Sequence, residues 1–123
     1  MIVINNRLIV FLILMITTAC TNANEAQCIP HSVVFNDIMN CYVEDYKKYD
    51  RKLNNLYQKK ILGLSKVEKI KLQSSQKKWI QLKEEICIAD EENYGRESHF
   101  DAMICQIEMT QKRIIYLDVL AQT

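Results

Sequence analysis

The stretch Gln76-Lys77-Lys78-Trp79-Ile80-Gln81-Leu82-Lys83-Glu84-Glu85-Ile86-Cys87 holds the only tryptophan of the chain and ends on a cysteine. Around it Leu72, Ser75, Trp79, Leu82, Ile86 and Ala89 recur at steps of three and four. That spacing lines one face of an α-helix. The face predicts a core helix. The rest of the chain must supply what covers it and what Cys87 bonds to.

Upstream, Tyr42, Tyr46, Tyr49, Leu53 and Leu56 form a second stripe with helical period. Tyrosines in such a stripe read as core residues whose hydroxyls reach the rim. Ser32 and Asn36 bracket the start of this helix, and Gly63 marks its end. Ser65 followed by Glu68 is a capping-box pattern that opens the central helix. The short connection forces antiparallel neighbours. The central helix is expected to run to Asn93, with Tyr94-Gly95 as its stop. Ser98-His99-Phe100-Asp101 opens the last helix in a similar capping pattern. Its stripe is Ala102, Cys105, Met109, Tyr116 and Val119, flanked by Ile115, Leu117 and Leu120. Only two glycines and one proline are present, and no strand alternation appears, which argues against a β fold. The fold class is therefore all-α, a three-helix up-down-up bundle over residues 36–123, with an irregular lead-in over 24–35.

The first residues read as an export signal. Arg7 is the positive flank, residues 8–16 are unbroken apolar, and Thr17-Thr18-Ala19-Cys20 turns small. The apolar run is short for a membrane span. The primary reading is a signal peptide over 1–23, cleaved after Ala23. The alternative is a lipoprotein signal over 1–19, with Cys20 as the lipidated residue. Thr17 stands where a lipobox prefers leucine. Either route removes Cys20 from disulfide chemistry and leaves Cys28, Cys41, Cys87 and Cys105. Four cysteines in an exported chain of this size read as two disulfides. In an up-down-up bundle Cys41, Cys87 and Cys105 fall at one end. Cys87–Cys105 and Cys28–Cys41 are the expected pairs, and spacing alone leaves the other two connectivities open. The export reading places the protein in the periplasm or outside the cell, or on the outer membrane if lipidated.

These residues carry a resemblance. Met39-Asn40-x-Cys41 is followed by Tyr49-Asp50-x-x-Leu53-Asn54-x-x-Tyr57. Then come Gln76-x-x-Trp79, Cys87, Cys105 and Thr110-x-x-Arg113. The set, over roughly residues 28–120, resembles the LprI-type domain of exported bacterial proteins, named for a lysozyme-inhibiting lipoprotein. The resemblance implies a helical, disulfide-linked envelope domain, and only weakly implies lysozyme inhibition. Asp50, Leu53, Asn54, Tyr57, Gln76, Trp79, Thr110 and Arg113 read as fold-defining. Asp50 and Arg113 fall at nearly the same height on parallel helices, so an ion pair between them, packed near Trp79, is expected. The chain has no Gly-rich phosphate loop, no His-Glu-x-x-His and no Gly-x-Ser-x-Gly. Asp50, Asn54 and Tyr57 lack a histidine or second placed carboxylate for acid–base work. The reading is of a non-enzyme without cofactor or metal.

Charge supplies the functional lead. Residues 46–83 hold twelve Lys/Arg and two acids, whereas residues 84–101 hold seven acids and one arginine. Folded as a hairpin, this makes a dipolar molecule. The balanced total gives no reason to expect nucleic acid. Glu84, Glu85, Asp90, Glu91 and Glu92 gather at the disulfide end, with Tyr94 beside them as a candidate anchor. Asp90, Glu91 and Glu92 fall in the last turn of the expected central helix, where the helix dipole disfavours them. The expected partner is a protein, a basic lysozyme among the candidates, with the membrane met only through a signal or lipid anchor. The alternative is a structural or adaptor domain that binds another envelope protein, or an anionic membrane surface through its lysine pole.

Overall fold

The computed structural model describes residues 27–120, so the signal-peptide and lipidation readings lie outside the described residues. The lead-in is irregular from 27 to 34. It turns at Pro30-His31, where the Ser32 amide donates to the Ile29 carbonyl at 3.2 Å. His31 sits at φ 73°, the left-handed value a type II turn requires at its third position.

Four helices follow: α1 (Phe35–Leu62), α2 (Lys66–Ile86), the single turn α3 (Glu91–Tyr94) and α4 (Ser98–Val119). No strand occurs among the described residues. The three long helices make the expected up-down-up bundle. The core is Leu53, Leu72, Ile114 and Leu117, with Tyr49, Leu56, Tyr57, Ile61, Leu64 and Trp79 packed against it. α1 and the parallel α4 make the closest helix pair. The buried positions Ala102 and Thr110 on α4 are small, which permits that approach. Thr110 turns its hydroxyl back to the Gln106 carbonyl at 2.7 Å and so leaves no polar group unpaired.

α2 is capped as expected. The Ser65 amide donates to Glu68 Oε2 at 2.9 Å, and the Glu68 amide donates to Ser65 Oγ at 3.4 Å. The Ser65 hydroxyl also donates to Glu68 Oε2, and this bond first, then the one from the Ser65 amide, holds the Glu68 carboxyl below its ordinary range. Gly63 follows α1 as expected but keeps a right-handed φ of −84°.

Three expectations need correction. α2 does not run to Asn93. It ends at Ile86, Cys87 leaves helical geometry, and Asp90 caps α3 by accepting from the Asn93 amide at 3.2 Å. The disulfide from Cys87 to α4 turns the chain here, and the Asp90 side chain supplies a competing start. Second, Ser98 does not cap α4. It lies inside the helix, buried, and donates from Oγ to the Gly95 carbonyl at 2.7 Å. Third, the faces are rotated. Leu82 and Ile86 on α2 are exposed, while Lys83 is only 7% exposed. On α4, Ile115, Tyr116, Val119 and Leu120 lie at the surface, and Arg113, Ile114 and Leu117 face inward.

Candidate functional site

Both expected disulfides form, Cys28–Cys41 with Cα atoms 4.4 Å apart and Cys87–Cys105 at 5.4 Å. They tie the lead-in to α1 and the end of α2 to α4, at one end of the bundle. The acidic residues stand there. Glu84 and Glu85 are exposed in the last turn of α2, and Glu92 is exposed on α3. None of the three has a hydrogen bond or ion pair among the described residues. Asp90 and Glu91 are committed to structure. Asp90 takes both the amide and the side-chain nitrogen of Asn93, and Glu91 meets His99 Nε2. Glu44, at the same end, accepts from the Cys28 amide at 3.1 Å. Asp90 to Glu92 now open a helix instead of closing one, so the dipole favours their charge.

Tyr94 stands at the crest of this end, 74% exposed. The loop behind it is braced from below. Gly95 takes φ 69°, ψ −173°, a conformation nearly reserved for glycine. The Arg96 guanidinium lies 4.4 Å over the Phe35 ring, and Phe35 packs on Phe100 at 4.7 Å between centroids. Tyr42 extends the cluster to Phe100 at 5.5 Å. Phe35 and Arg96 were not singled out in the sequence. Arg96 was visible as the one base among the acids of 84–101, but its brace needs the fold to be seen.

The remaining motif residues build a layer deeper in the bundle. Arg113 donates from Nε to Gln76 Oε1 at 2.9 Å and from Nη2 to Ser75 Oγ at 3.0 Å. Its guanidinium lies 5.8 Å from the Trp79 ring centroid and 4.5 Å from that of Tyr116. Burial lowers its pKa below the ordinary arginine value. The expected Asp50–Arg113 ion pair does not form among the described residues. Asp50 instead accepts from Asn54 Nδ2 at 3.0 Å, one turn along its own helix. The planar guanidinium fork matches the paired amide and hydroxyl of α2. Lys83 was missed altogether. It donates to Tyr46 Oη at 2.6 Å, and its ammonium lies 4.9 Å from the Tyr46 ring and 5.1 Å from the Trp79 ring. Trp79 thus has two cations, Lys83 and Arg113, against its ring. Among the described residues no group of His, Cys, Asp or Glu could hold a metal ion, and no helix is long and apolar enough to cross a membrane. The layer's polar groups hold each other, an arrangement suited to fixing helix register.

No curated protein and no solved structure matches the chain. The family model described as lysozyme inhibitor LprI matches residues 20–117, which takes in both disulfides, the Trp79 layer and the acidic end. With most of its length inside that match, the chain belongs to the lysozyme inhibitor LprI family.

Proposed function

We propose that this protein is a non-enzymatic binding domain of the bacterial envelope that engages a basic protein, a lysozyme being the first candidate, through its acidic end. The observation that carries the reading is Tyr94, exposed at the end of α3 ahead of a braced loop, at the same end of the bundle as Glu84, Glu85 and Glu92, carboxylates with no hydrogen bond or ion pair among the described residues. A large exposed aromatic on a preordered surface is a common anchor of a protein interface. Like charge gathered around it steers a partner of opposite sign. Family membership supports the choice of lysozyme. Asp90 and Glu91 serve that surface by holding α3 and the loop in place.

The same reading has the protein exported, with residues 1–23 removed as a signal peptide or Cys20 acylated after cleavage before it. Both disulfides join cysteines that would need an oxidising compartment. Intact mass of the mature protein separates the two routes. The test of function is turbidity clearing of a peptidoglycan suspension by lysozyme. Added purified protein slows clearing in a dose-dependent way, and Tyr94→Ala weakens that effect while the helical spectrum is unchanged. Undiminished clearing at saturating protein and low salt rejects the lysozyme reading.

A further inference from the structure

The end of the bundle opposite the disulfides plays no part in that reading, yet it combines exposed aliphatics with clustered lysines. The end of α1 and the first turns of α2 present Leu62, Val67 and Ile70 to solvent, at 78%, 63% and 57% exposure. No fold requirement puts three aliphatic side chains there. Lys59, Lys60, Lys66, Lys69 and Lys71 surround them. Of the acids nearby, Glu68 is tied into the Ser65 cap, and Asp118 stands at the end of α4, where its carbonyl accepts from Lys60 Nζ at 3.4 Å. Beside the turn a cleft of 660 Å³ opens between α1, α2 and α4, floored by Leu64, Leu72 and Leu117 and edged by Lys59, Lys60 and Lys71. Apolar surface therefore continues from the crest into the fold, with lysines around both.

We propose that this pole docks on an anionic phospholipid bilayer, with Leu62, Val67 and Ile70 entering the headgroup region and the lysines meeting lipid phosphates. A lysine-ringed aliphatic crest complements a surface that is negative outside and apolar just beneath. An acidic protein would match the lysines, but aliphatics exposed among lysines at the tip of a helical hairpin fit better a partner whose charge lies directly over an apolar layer. α1 spans about 42 Å at 1.5 Å per residue, so docking here leaves the acidic end directed away from the membrane. The two poles can be occupied together, and this inference does not depend on the lysozyme reading.

Sedimentation with vesicles tests it. The protein carries Cys20→Ala throughout, so no acyl chain contributes, and variants are compared on one N-terminus. Wild type sediments with vesicles of equimolar phosphatidylcholine and phosphatidylglycerol, and much less with phosphatidylcholine alone. Lys59→Glu with Lys66→Glu lowers the partition by at least about 25-fold, from about fivefold per lysine at an anionic surface. Leu62→Ser with Val67→Ser, which changes no charge, lowers it by about tenfold or more. Both variants keep the wild-type helical spectrum. Equal binding to the two vesicle types overturns the proposal. So does a serine variant that sediments like wild type, which would leave only a charged surface fit for an acidic protein.

Discussion

Lys83 and Arg113 carry their charges into the bundle without an ion pair to a carboxylate among the described residues. Each is held by aromatic faces and neutral oxygen acceptors, Lys83 by Tyr46 and Trp79, Arg113 by Gln76, Ser75, Trp79 and Tyr116. Cation–aromatic contacts of this kind are worth about 0.5–2 kcal/mol, more as water is excluded. Arg113→Ala is expected to cost about 2–3 kcal/mol, because two charge-assisted hydrogen bonds across helices are lost. Asp50→Ala should stay within about 0.5 kcal/mol of wild type, since its bond to Asn54 is local and largely exposed. Thermal melts of the pair decide it, each kcal/mol moving Tm by roughly 4–8 °C in a domain near this size. An Asp50 variant that melts as low as the Arg113 variant would contradict the observed partners. The sequence made Arg113 and Trp79 legible as one layer, because both can be counted from the disulfide end, Trp79 back along α2 and Arg113 forward along α4. It did not make the partner legible. Asp50 has the right charge and height, but the guanidinium turns to α2. Lys83 was hidden for another reason. A period count favours leucine over lysine, yet the lysine stem buries like a hydrocarbon when its head finds an aromatic face.

At the scale of elements, the two glycines end helices in different ways. Gly95 needs its positive φ, and an added Cβ would also meet the Glu97 carboxylate at 3.3 Å. Gly95→Ala should therefore cost about 1–3 kcal/mol. Gly63 is right-handed, and its Cβ would lie 3.8 Å from the Lys60 carbonyl, an ordinary contact. Gly63→Ala should be neutral or stabilise by about 0.4–1 kcal/mol through the unfolded chain. Denaturant midpoints check both signs. The Ser65–Glu68 box makes a pH prediction. Glu68 has its folded pKa depressed from the ordinary 4.5, first by the Ser65 side chain and then by its backbone. Its contribution is thus complete above the unfolded value and is lost as pH falls through the lower folded value. Glu68→Ala should be less stable than wild type at neutral pH, and the gap should close in acid. A gap that persists unchanged at low pH would mean the box does not act through the carboxylate. The box was legible from four residues. The break after Ile86 was not, because no glycine or proline marks it. A sign was nonetheless present. Asp90, Glu91 and Glu92 would have sat against the dipole at the end of a longer helix, and the chain instead starts a new helix at Asp90, where the same charges are favoured.

Across the whole molecule, charge is sorted by the hairpin geometry of α1 and α2. Lys59, Lys60, Lys66, Lys69 and Lys71 fall near the turn, and Glu84, Glu85 and Glu92 fall toward the disulfide end, where Lys47 and Lys48 stand with Glu44 and Asp45 on α1. The three long helices and their directions were legible from stripes and caps, and cysteine placement favoured the two observed disulfides without excluding the other connectivities. Which acids remain unpaired was not, because Asp90, Glu91 and Glu44 find partners only once the chain has folded. The central claim is that the unpaired carboxylates Glu84, Glu85 and Glu92 steer a basic lysozyme onto Tyr94. The direct measurement is association rate against ionic strength, for lysozyme with wild type and with Glu84→Lys, Glu85→Lys and Glu92→Lys combined. Glu84 and Glu85 close α2, so lysine there suits the dipole and the fold should be no less stable. Lys59→Glu with Lys66→Glu at the far pole is the matched control. The account predicts that wild type associates fast at low salt and slows steeply as salt is added. The acidic-end variant should associate slowly with a flat salt dependence, and the control should follow wild type. An acidic-end variant with wild-type rates, or a control that loses association instead, would contradict it.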